Sequence, residues 1–401
     1  MHVCFFNRAY WPDLSATGQL LTEMAEGLAA RHGWTVTVVT GYPLRTDVRP
    51  SSREARNGVT IVRAAGTTFS PRRFAGRASN YVSYFGSAAL RGLTVRRPDV
   101  VVAMTDPPII GLAALALARR AGAPFVSWCQ DIFPEVAVLL EDFQSSAVNR
   151  ALSAVNRFQL SQAAAIVALG ETMKHRLVTG KGADPQRIHI VDNWADCSQI
   201  TPGDRVTSWA EAQGLADRFV VLHAGNLGLS QDLDNLMHAA ARLRRRPDIL
   251  FLFVGGGVRE SALRAQAESL GLDNVRFVPH QPKDAMPPWY AASDVSLISL
   301  RRGLAGVIVP SKTYSALAAG RACIAAVEPE CEVAGLVTAA ACGLVVAPGD
   351  PDALARAIES LADDRPRAAA MGRRARAAAL QFDLPRQVAR FDAVLRSVAR
   401  R

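Results

Sequence analysis

Ser311 and Lys312 are the first residues in this 401-residue chain whose types and spacing suggest chemistry. They lie in the stretch Val307 to Ala326, which reads as a loop at Pro310, a short helix and then an apolar strand. Ser311 is an N-cap type of residue, Gly320 suits the position after a helix end, and Ala322 to Val327 is apolar enough for a buried strand. A loop of this kind can bind an anion. The helix start offers free N–H groups and a positive dipole end, and the Lys312 ammonium adds a point charge. An ordinary crossover with a surface lysine fits the same residues. Lysine occurs at only four positions, Lys174, Lys181, Lys283 and Lys312, among 46 basic residues, so Lys312 resists the arginine bias of the chain.

A second candidate is the polar turn Gln130-Asp131-Ile132-Phe133-Pro134-Glu135, which follows the apolar run Phe125 to Trp128. Carboxylates just beyond a strand's C-terminal end sit where open α/β sheets bind ligands. Glycine-rich turns follow two further apolar runs, at Gly225-Asn226-Leu227-Gly228 and at Gly255-Gly256-Gly257. The loop Asn7 to Thr17 carries Tyr10, Trp11, Pro12 and Asp13, and Gly18 follows it. It is not a GxGxxG fingerprint, so a nicotinamide dinucleotide is not indicated.

The elements that must position these residues alternate between strand and helix. Strands are expected at His2 to Phe6, Thr35 to Thr40, Asp99 to Met104, Phe125 to Trp128, Ala165 to Ala168 and Ile188 to Val191. Between the first two lies an amphipathic helix with Leu20, Leu21, Met24 and Leu28 on one face. The polar stretch Asp192 to Arg218, with Pro202 and Gly203, reads as an interdomain connection. The alternation then restarts, with strands at Phe219 to His223, Ile249 to Val254, Val275 to Val278, Val295 to Ser299, Ala322 to Val327 and Gly343 to Val346. The predicted class is α/β, with two doubly wound Rossmann-like domains facing across a ligand cleft. The expected boundaries are 1–195, 196–380, and a last amphipathic helical segment, 381–401, that crosses back to the first domain.

Half the residues are apolar and a fifth are charged, which suits a globular chain of two domains. The net charge is +10. Arg45 to Arg97 is its densest basic stretch, with Arg45, Arg49, Arg53, Arg56, Arg63, Arg72, Arg73, Arg77, Arg91, Arg96 and Arg97 against only Asp47 and Glu54. Tyr81, Tyr84, Phe85 and Leu90 interleave with it. A solvated arginine-rich surface fits, as does contact with an anionic membrane surface or acceptor. Arginines spread over both domains without a recognition module argue against a nucleic-acid partner. No apolar run is long enough for a membrane span or a secretory signal. The six cysteines are scattered and match no zinc spacing, so a reduced cytoplasm is the simplest setting.

The order GNLG, FLFVGGG, VRFVPHQP, WYAASDVSLISL, VPSKTYSALAAGRACIA and GLVVAPGDPDALARAI resembles the retaining glycosyltransferases of family 4, which have the GT-B fold. Within them it is similar to the subgroup that builds bacterial surface polysaccharides, including fucosaminyl- and colanic-acid-type transferases. FFNRAYWPDLSATGQLLTEMAEGLAARHGWTVTVVTG and WCQDIFPE fit the same subgroup. The resemblance implies a second domain that binds a nucleotide-sugar donor and a first domain that holds the acceptor. Donor contacts are then expected from Gly18, the turn Gly225, Asn226, Leu227 and Gly228, and from Gly255, Val278, Gln281, Ser311, Lys312 and Ser315. Acceptor contacts are expected from Tyr10, Asp131 and Glu135. The family's two glutamates, separated by seven residues, fall on Val307 and Ser315, neither of them acidic. Ser315 could still hydrogen-bond a ribose hydroxyl as a neutral partner.

The resemblance implies transfer of a sugar from a UDP-sugar with retention of configuration. Lys312 and the glycine-turn amides would stabilise the charge building on the departing diphosphate. Asp131 would orient the acceptor hydroxyl or stabilise the oxocarbenium-like centre. No metal or other cofactor is expected, and domain closure about Asn193 to Arg218 would exclude water. A nucleotide-sugar 2-epimerase and a non-catalytic nucleotide-binding homologue are the alternatives. The expected acceptor is a polyprenyl-linked saccharide at the inner membrane face, or a small molecule.

Overall fold

The computed structural model describes residues 1–43, 50–69, 74–140 and 145–399. The chain divides into two units. Unit 1 holds Met1–Asn193, Gly306–Ile308 and Leu384–Arg401, and unit 2 holds Trp194–Ala305 and Val309–Asp383. Each is an α/β unit of Rossmann-like design.

Unit 1 contains strands β1 (His2–Phe6), β2 (Thr35–Gly41), β3 (Arg53–Arg56), β4 (Val59–Ala64), β5 (Val100–Ala103), β6 (Phe125–Trp128), β7 (Ala165–Ala168) and β8 (Ile188–Ile190). They form one sheet in the order β3-β4-β2-β1-β5-β6-β7-β8, parallel except for β3. Central strands such as β1 and β5 are apolar on both faces because helices cover both, and Val3 to Phe6 are fully buried. Helix Ala16–His32 buries Leu20, Leu21, Met24 and Leu28, the face its periodicity predicts.

The basic stretch is more structured than its composition suggests. Arg45, Arg49, Arg72, Arg73 and the Arg77 side chain lie outside the described residues. The remainder forms the β3–β4 hairpin and helix Phe74–Gly92. Asn57 and Gly58 close the hairpin with φ of 47° and 80°, the pair of positive values that a tight two-residue turn requires. Arg63 is not solvated at all: it is fully buried on β4. Its guanidinium reaches Glu54 at 2.5 Å, the Trp11 carbonyl at 2.9 Å and the Gly41 carbonyl at 3.3 Å. Those three acceptors are what make burial of the charge tolerable.

Helix Leu384–Val398 completes unit 1. Phe391 sits 4.7 Å from Trp128 and 6.1 Å from Phe5, ring centre to ring centre. A Cβ on Gly27 would lie 2.7 Å from Val388, so the two helices touch where glycine leaves room.

Unit 2 contains β9 (Phe219–Ala224), β10 (Ile249–Val254), β11 (Val275–Val278), β12 (Val295–Ser299), β13 (Ala322–Ala326) and β14 (Gly343–Val346). All are parallel, in the order β11-β10-β9-β12-β13-β14. Phe219, Val221, Phe251, Phe253, Leu297 and Ile324 fill its core against helices Leu233–Arg242 and Pro351–Ala362.

The crossover between β12 and β13 contains helix Lys312–Ala318. Gly320 adopts φ 67° just past its end and its N–H bonds the Leu317 carbonyl at 2.9 Å, the expected end signal. The start differs from expectation. Ser311 has helical backbone angles, φ −62° and ψ −27°, and its side chain caps nothing. A serine caps from an extended backbone, which aims its oxygen at the exposed amides; the helical angles turn it away.

Candidate functional site

In unit 2 the strand order reverses between β9 and β12, because the next strand lies outward on opposite sides of the pair. Open α/β sheets bind ligands beyond the carboxyl ends of strands at such a point. Two glycine turns meet there. Gly225 takes φ 119°, and its N–H bonds the Val254 carbonyl at 2.8 Å. Gly255 takes φ 148°, and a Cβ on it would lie 2.0 Å from the Gly225 carbonyl oxygen. A Cβ on Gly257 would lie 2.4 Å from the Leu227 carbonyl oxygen. Only glycine permits this approach of two main chains. Leu227 N–H to the Gly256 carbonyl, 2.9 Å, and Gly228 N–H to Gln231, 3.1 Å, fix the turn. Gly225 and Asn226 are exposed, whereas Leu227 and Gly228 are buried.

Lys312 reaches back to β9. Its Nζ lies 3.3 Å from Nδ1 and 3.2 Å from Nε2 of His223. His223 is 1% exposed and the penultimate residue of β9. Burial alone pushes the Lys312 pKa down to about 7, with no carboxylate offsetting it. Burial, and then the Lys312 charge, hold His223 well below its ordinary value, so the imidazole is neutral. The helix Lys312–Ala318 has only seven residues, so its dipole adds little and the cation is the main attraction for an anion. A partly buried ammonium with no carboxylate partner among the described residues, beside an open glycine turn, is suited to phosphate oxygens.

The other donor-side candidates are placed as follows. Ser315 is one turn beyond Lys312 on the same helix, and its side chain hydrogen-bonds the Tyr290 hydroxyl, whose pKa burial pushes up to about 12. Ser311 is partly buried at the helix start. Val278 ends β11 and its carbonyl accepts the Gly255 N–H at 3.0 Å, which ties it to the same turn. Gln281 is further out and bonds the Pro279 carbonyl at 3.1 Å.

Unit 1 presents its own switch point, between β1 and β5. Arg8 follows β1 and Asp106 follows β5, and they form an ion pair at 3.2 Å. Asp131 follows β6. Burial first, and then the Asp106 charge, raise its pKa to about 7. Its main chain bridges Ile308, and the next N–H, of Ile132, bonds the Val307 carbonyl at 3.0 Å. Val307 is fully buried, so this site of the family's first glutamate is aliphatic packing here. Glu135 opens helix Glu135–Leu139 and is engaged by the buried Lys181, 2.7 Å from it. Lys181 also donates to the Phe133 carbonyl at 2.8 Å, so it braces the turn that carries Asp131. Gly18 lies in the first turn of helix Ala16–His32, its N–H held by Ser15 at 3.3 Å, and a Cβ there would press on Ala9 at 3.2 Å. Tyr10 is 1% exposed with an unpartnered hydroxyl, so it presents no surface to an acceptor in this conformation.

His223, Arg8, Asp106 and Lys181 escape a reading of the sequence as a string. Strand order decides which strand ends meet, and order is not visible locally. Lys181 alone carried a signal, as one of four lysines in an arginine-rich chain.

The fold, two Rossmann-like α/β units, is of GT-B type. A family model described as "Glycosyl transferases group 1" matches residues 207–378, and one described as "Glycosyl transferase 4-like domain" matches residues 16–194. The two models fall on different parts of the chain, and both describe glycosyl transferase domains. It is 28% identical over 273 residues to the glycosyltransferase WbjE of Pseudomonas aeruginosa, covering 67% of each chain. It is 25% identical over 336 residues to the colanic acid biosynthesis glycosyl transferase WcaI of Escherichia coli, covering 80% of this chain and 82% of that one. The fold matches Anabaena HepE, solved with UDP, at a TM-score of 0.74 and 17% identity over 99% of this chain and 100% of that one. It also matches a sucrose-phosphate synthase from Thermosynechococcus elongatus at a TM-score of 0.81 and 18% identity over 99% of this chain and 98% of that one.

Proposed function

We propose that the protein transfers a hexosyl or N-acetylhexosaminyl group from a UDP-sugar, with retention of configuration, to a saccharide acceptor in surface-polysaccharide assembly. The observation that carries this reading is the partly buried Lys312 ammonium, held against His223 at the β9 end that leads into the Gly225–Gly228 turn, at the unit 2 switch point. A diphosphate leaving group needs such a cation as its bond to the sugar breaks. HepE, of the same fold, was solved with UDP-glucose, which favours a uridine donor. WcaI, named for colanic acid biosynthesis, favours a saccharide acceptor. Retention follows the family resemblance.

Asp131 is assigned to the acceptor hydroxyl. In a retaining transfer the departing phosphate can take the acceptor proton, so Asp131 orients and need not act as base. Ser315, held by Tyr290, is assigned to the donor ribose. The proposal includes metal independence, so activity should survive EDTA. It also includes a peripheral location at the inner membrane face. Val82, Leu90 and Leu93 are exposed within or just after helix Phe74–Gly92, with Arg91, Arg96 and Arg97 beside them, a mixture that suits an anionic bilayer surface.

The test is a panel of UDP-, GDP- and dTDP-sugars read by thermal stabilisation, since a ligand that binds the folded state raises Tm by linkage. The stabilising donor is then incubated with a lipid extract and the product anomer read by NMR. An inverted anomer refutes retention, stabilisation by GDP-sugars alone refutes the uridine donor, and an epimer formed without acceptor refutes transfer. Both matching family models are transferase models, which favours transfer over epimerisation.

A further inference from the structure

We propose that His223, as a neutral imidazole, is the positioning residue of the diphosphate clamp, tying the Lys312 ammonium to the Gly225–Gly228 turn. The inference rests on the reading of Lys312 as that clamp and adds a residue to which neither motif nor family match assigns a role.

His223 is held on two sides. On one side the Lys312 Nζ lies within hydrogen-bond reach of both ring nitrogens, at 3.3 and 3.2 Å. An ammonium has only donors, so the ring it lies against is neutral imidazole, not imidazolium. On the other side His223 is fixed by its main chain, as the penultimate residue of β9, two residues before Gly225. The neutral ring therefore holds the lysine where the glycine turn begins. The ring has no freedom to leave, because it is 1% exposed on β9 and lies 5.6 Å from the Phe253 ring.

The two halves of the clamp come from distant parts of the chain. Lys312 is carried on a lysine side chain with several rotatable bonds, and the turn follows β9. An unrestrained lysine would lose rotamer freedom on meeting the phosphates. Held against His223, it is placed beforehand, which is how a pre-organised site gains affinity. The pH behaviour follows from the groups that face Lys312. His223 on β9 is the titratable one, and no carboxylate offsets the effect of burial. The ammonium must be present for binding, so UDP affinity falls as pH rises through the free Lys312 pKa of about 7. Removing the imidazole acceptor disfavours the ammonium further and moves that limb to lower pH.

The experiment compares wild type, His223→Phe, His223→Gln and Lys312→Ala by calorimetric titration with UDP from pH 5.5 to 9. His223→Phe is expected to weaken binding about tenfold and to shift the alkaline limb to lower pH. His223→Gln keeps one acceptor and one donor, and is expected to restore affinity to within about threefold of wild type. A folded His223→Phe with wild-type affinity and an unmoved limb overturns the inference. Equal losses in the Phe and Gln variants overturn it too, since a packing role alone gives that result. The 15N shifts of the His223 ring in wild type decide the point without substitution. One bare and one protonated nitrogen at pH 6 is expected, and an imidazolium there overturns it. If Lys312→Ala binds UDP like wild type, the clamp reading itself fails. If Lys312→Ala weakens binding and His223→Phe does not, only the role of His223 fails.

Discussion

Lys312→Met should make the protein at once more stable and worse at binding UDP. The two effects arise from the same burial. In the unfolded chain a lysine titrates near 10.4, and in the folded chain burial holds Lys312 at about 7. A depressed lysine pKa means that the unfolded state binds more protons between roughly pH 7 and pH 10, so stability rises with pH across that window. Below about pH 7 the full desolvation penalty is present. Lys312 is only partly buried by surface area, which tempers it. Replacing the ammonium by an apolar side chain of similar length should therefore stabilise the ligand-free protein at pH 6 by ~1–3 kcal/mol. At pH 10 the gain should vanish. The same change deletes a charge-assisted hydrogen bond to the phosphates, worth ~1.5–3 kcal/mol, which is roughly a 10- to 150-fold rise in the Kd for UDP. Urea unfolding at pH 6 and pH 10, with calorimetric titration of UDP at pH 6.5, reads both effects. A variant that is less stable at pH 6, or that binds UDP like wild type, refutes the assignment of Lys312 as an uncompensated phosphate ligand.

Four further outcomes are expected. Asp131→Asn should lower the transfer rate by about 10²-fold. It should also remove a fall in stability between about pH 4 and pH 7, because the native carboxyl, with its pKa raised to about 7, holds a proton there that the unfolded one has lost; rates and melts against pH check both. Gly255→Ala places a Cβ 2.0 Å from the Gly225 carbonyl, and urea titration should show a loss of ~3 kcal/mol or more. Arg63→Met strands the half-buried Glu54 and two carbonyls, and should cost ~1–3 kcal/mol by the same measurement. Leu90→Ser combined with Leu93→Ser should reduce sedimentation with anionic vesicles while leaving UDP binding intact; unchanged sedimentation counts against that face.

The parallel strands were legible because they are buried on both faces. Runs such as ILFLFV at β10 or ACIAA at β13 have no other use in a globular chain. The glycine turns and Lys312 were legible because glycine at strand ends and a scarce lysine are local signals. The region around β3 and β4 was not, although Asn57-Gly58 is a hairpin signal, because arginines dominated the reading. Arg63 looks like its solvated neighbours, and only tertiary acceptors from Trp11, Gly41 and Glu54 allow it inside. Ser311 was misread because its residue type favours capping and its backbone does not. The Lys312–His223 contact is separated by 89 positions in sequence, and its partners meet only once β9 and β12 are known to be neighbours.

The discontinuity of unit 1 has a consequence for how the protein is made. Its first strand and sixth strand present Phe5 and Trp128 to Phe391, which lies in the last helix. A ribosome delivers all of unit 2 before that helix emerges. Unit 2 lacks only the short insertion Gly306–Ile308 and can close its core beforehand, whereas unit 1 must wait with an apolar groove uncovered. During synthesis the N-terminal unit should therefore expose apolar surface until that helix arrives, and its final closure is a long-range event of high contact order. A fragment ending at Asn193 should aggregate or bind a hydrophobic dye, and a synthetic peptide spanning Leu384–Val398, added in trans, should suppress both.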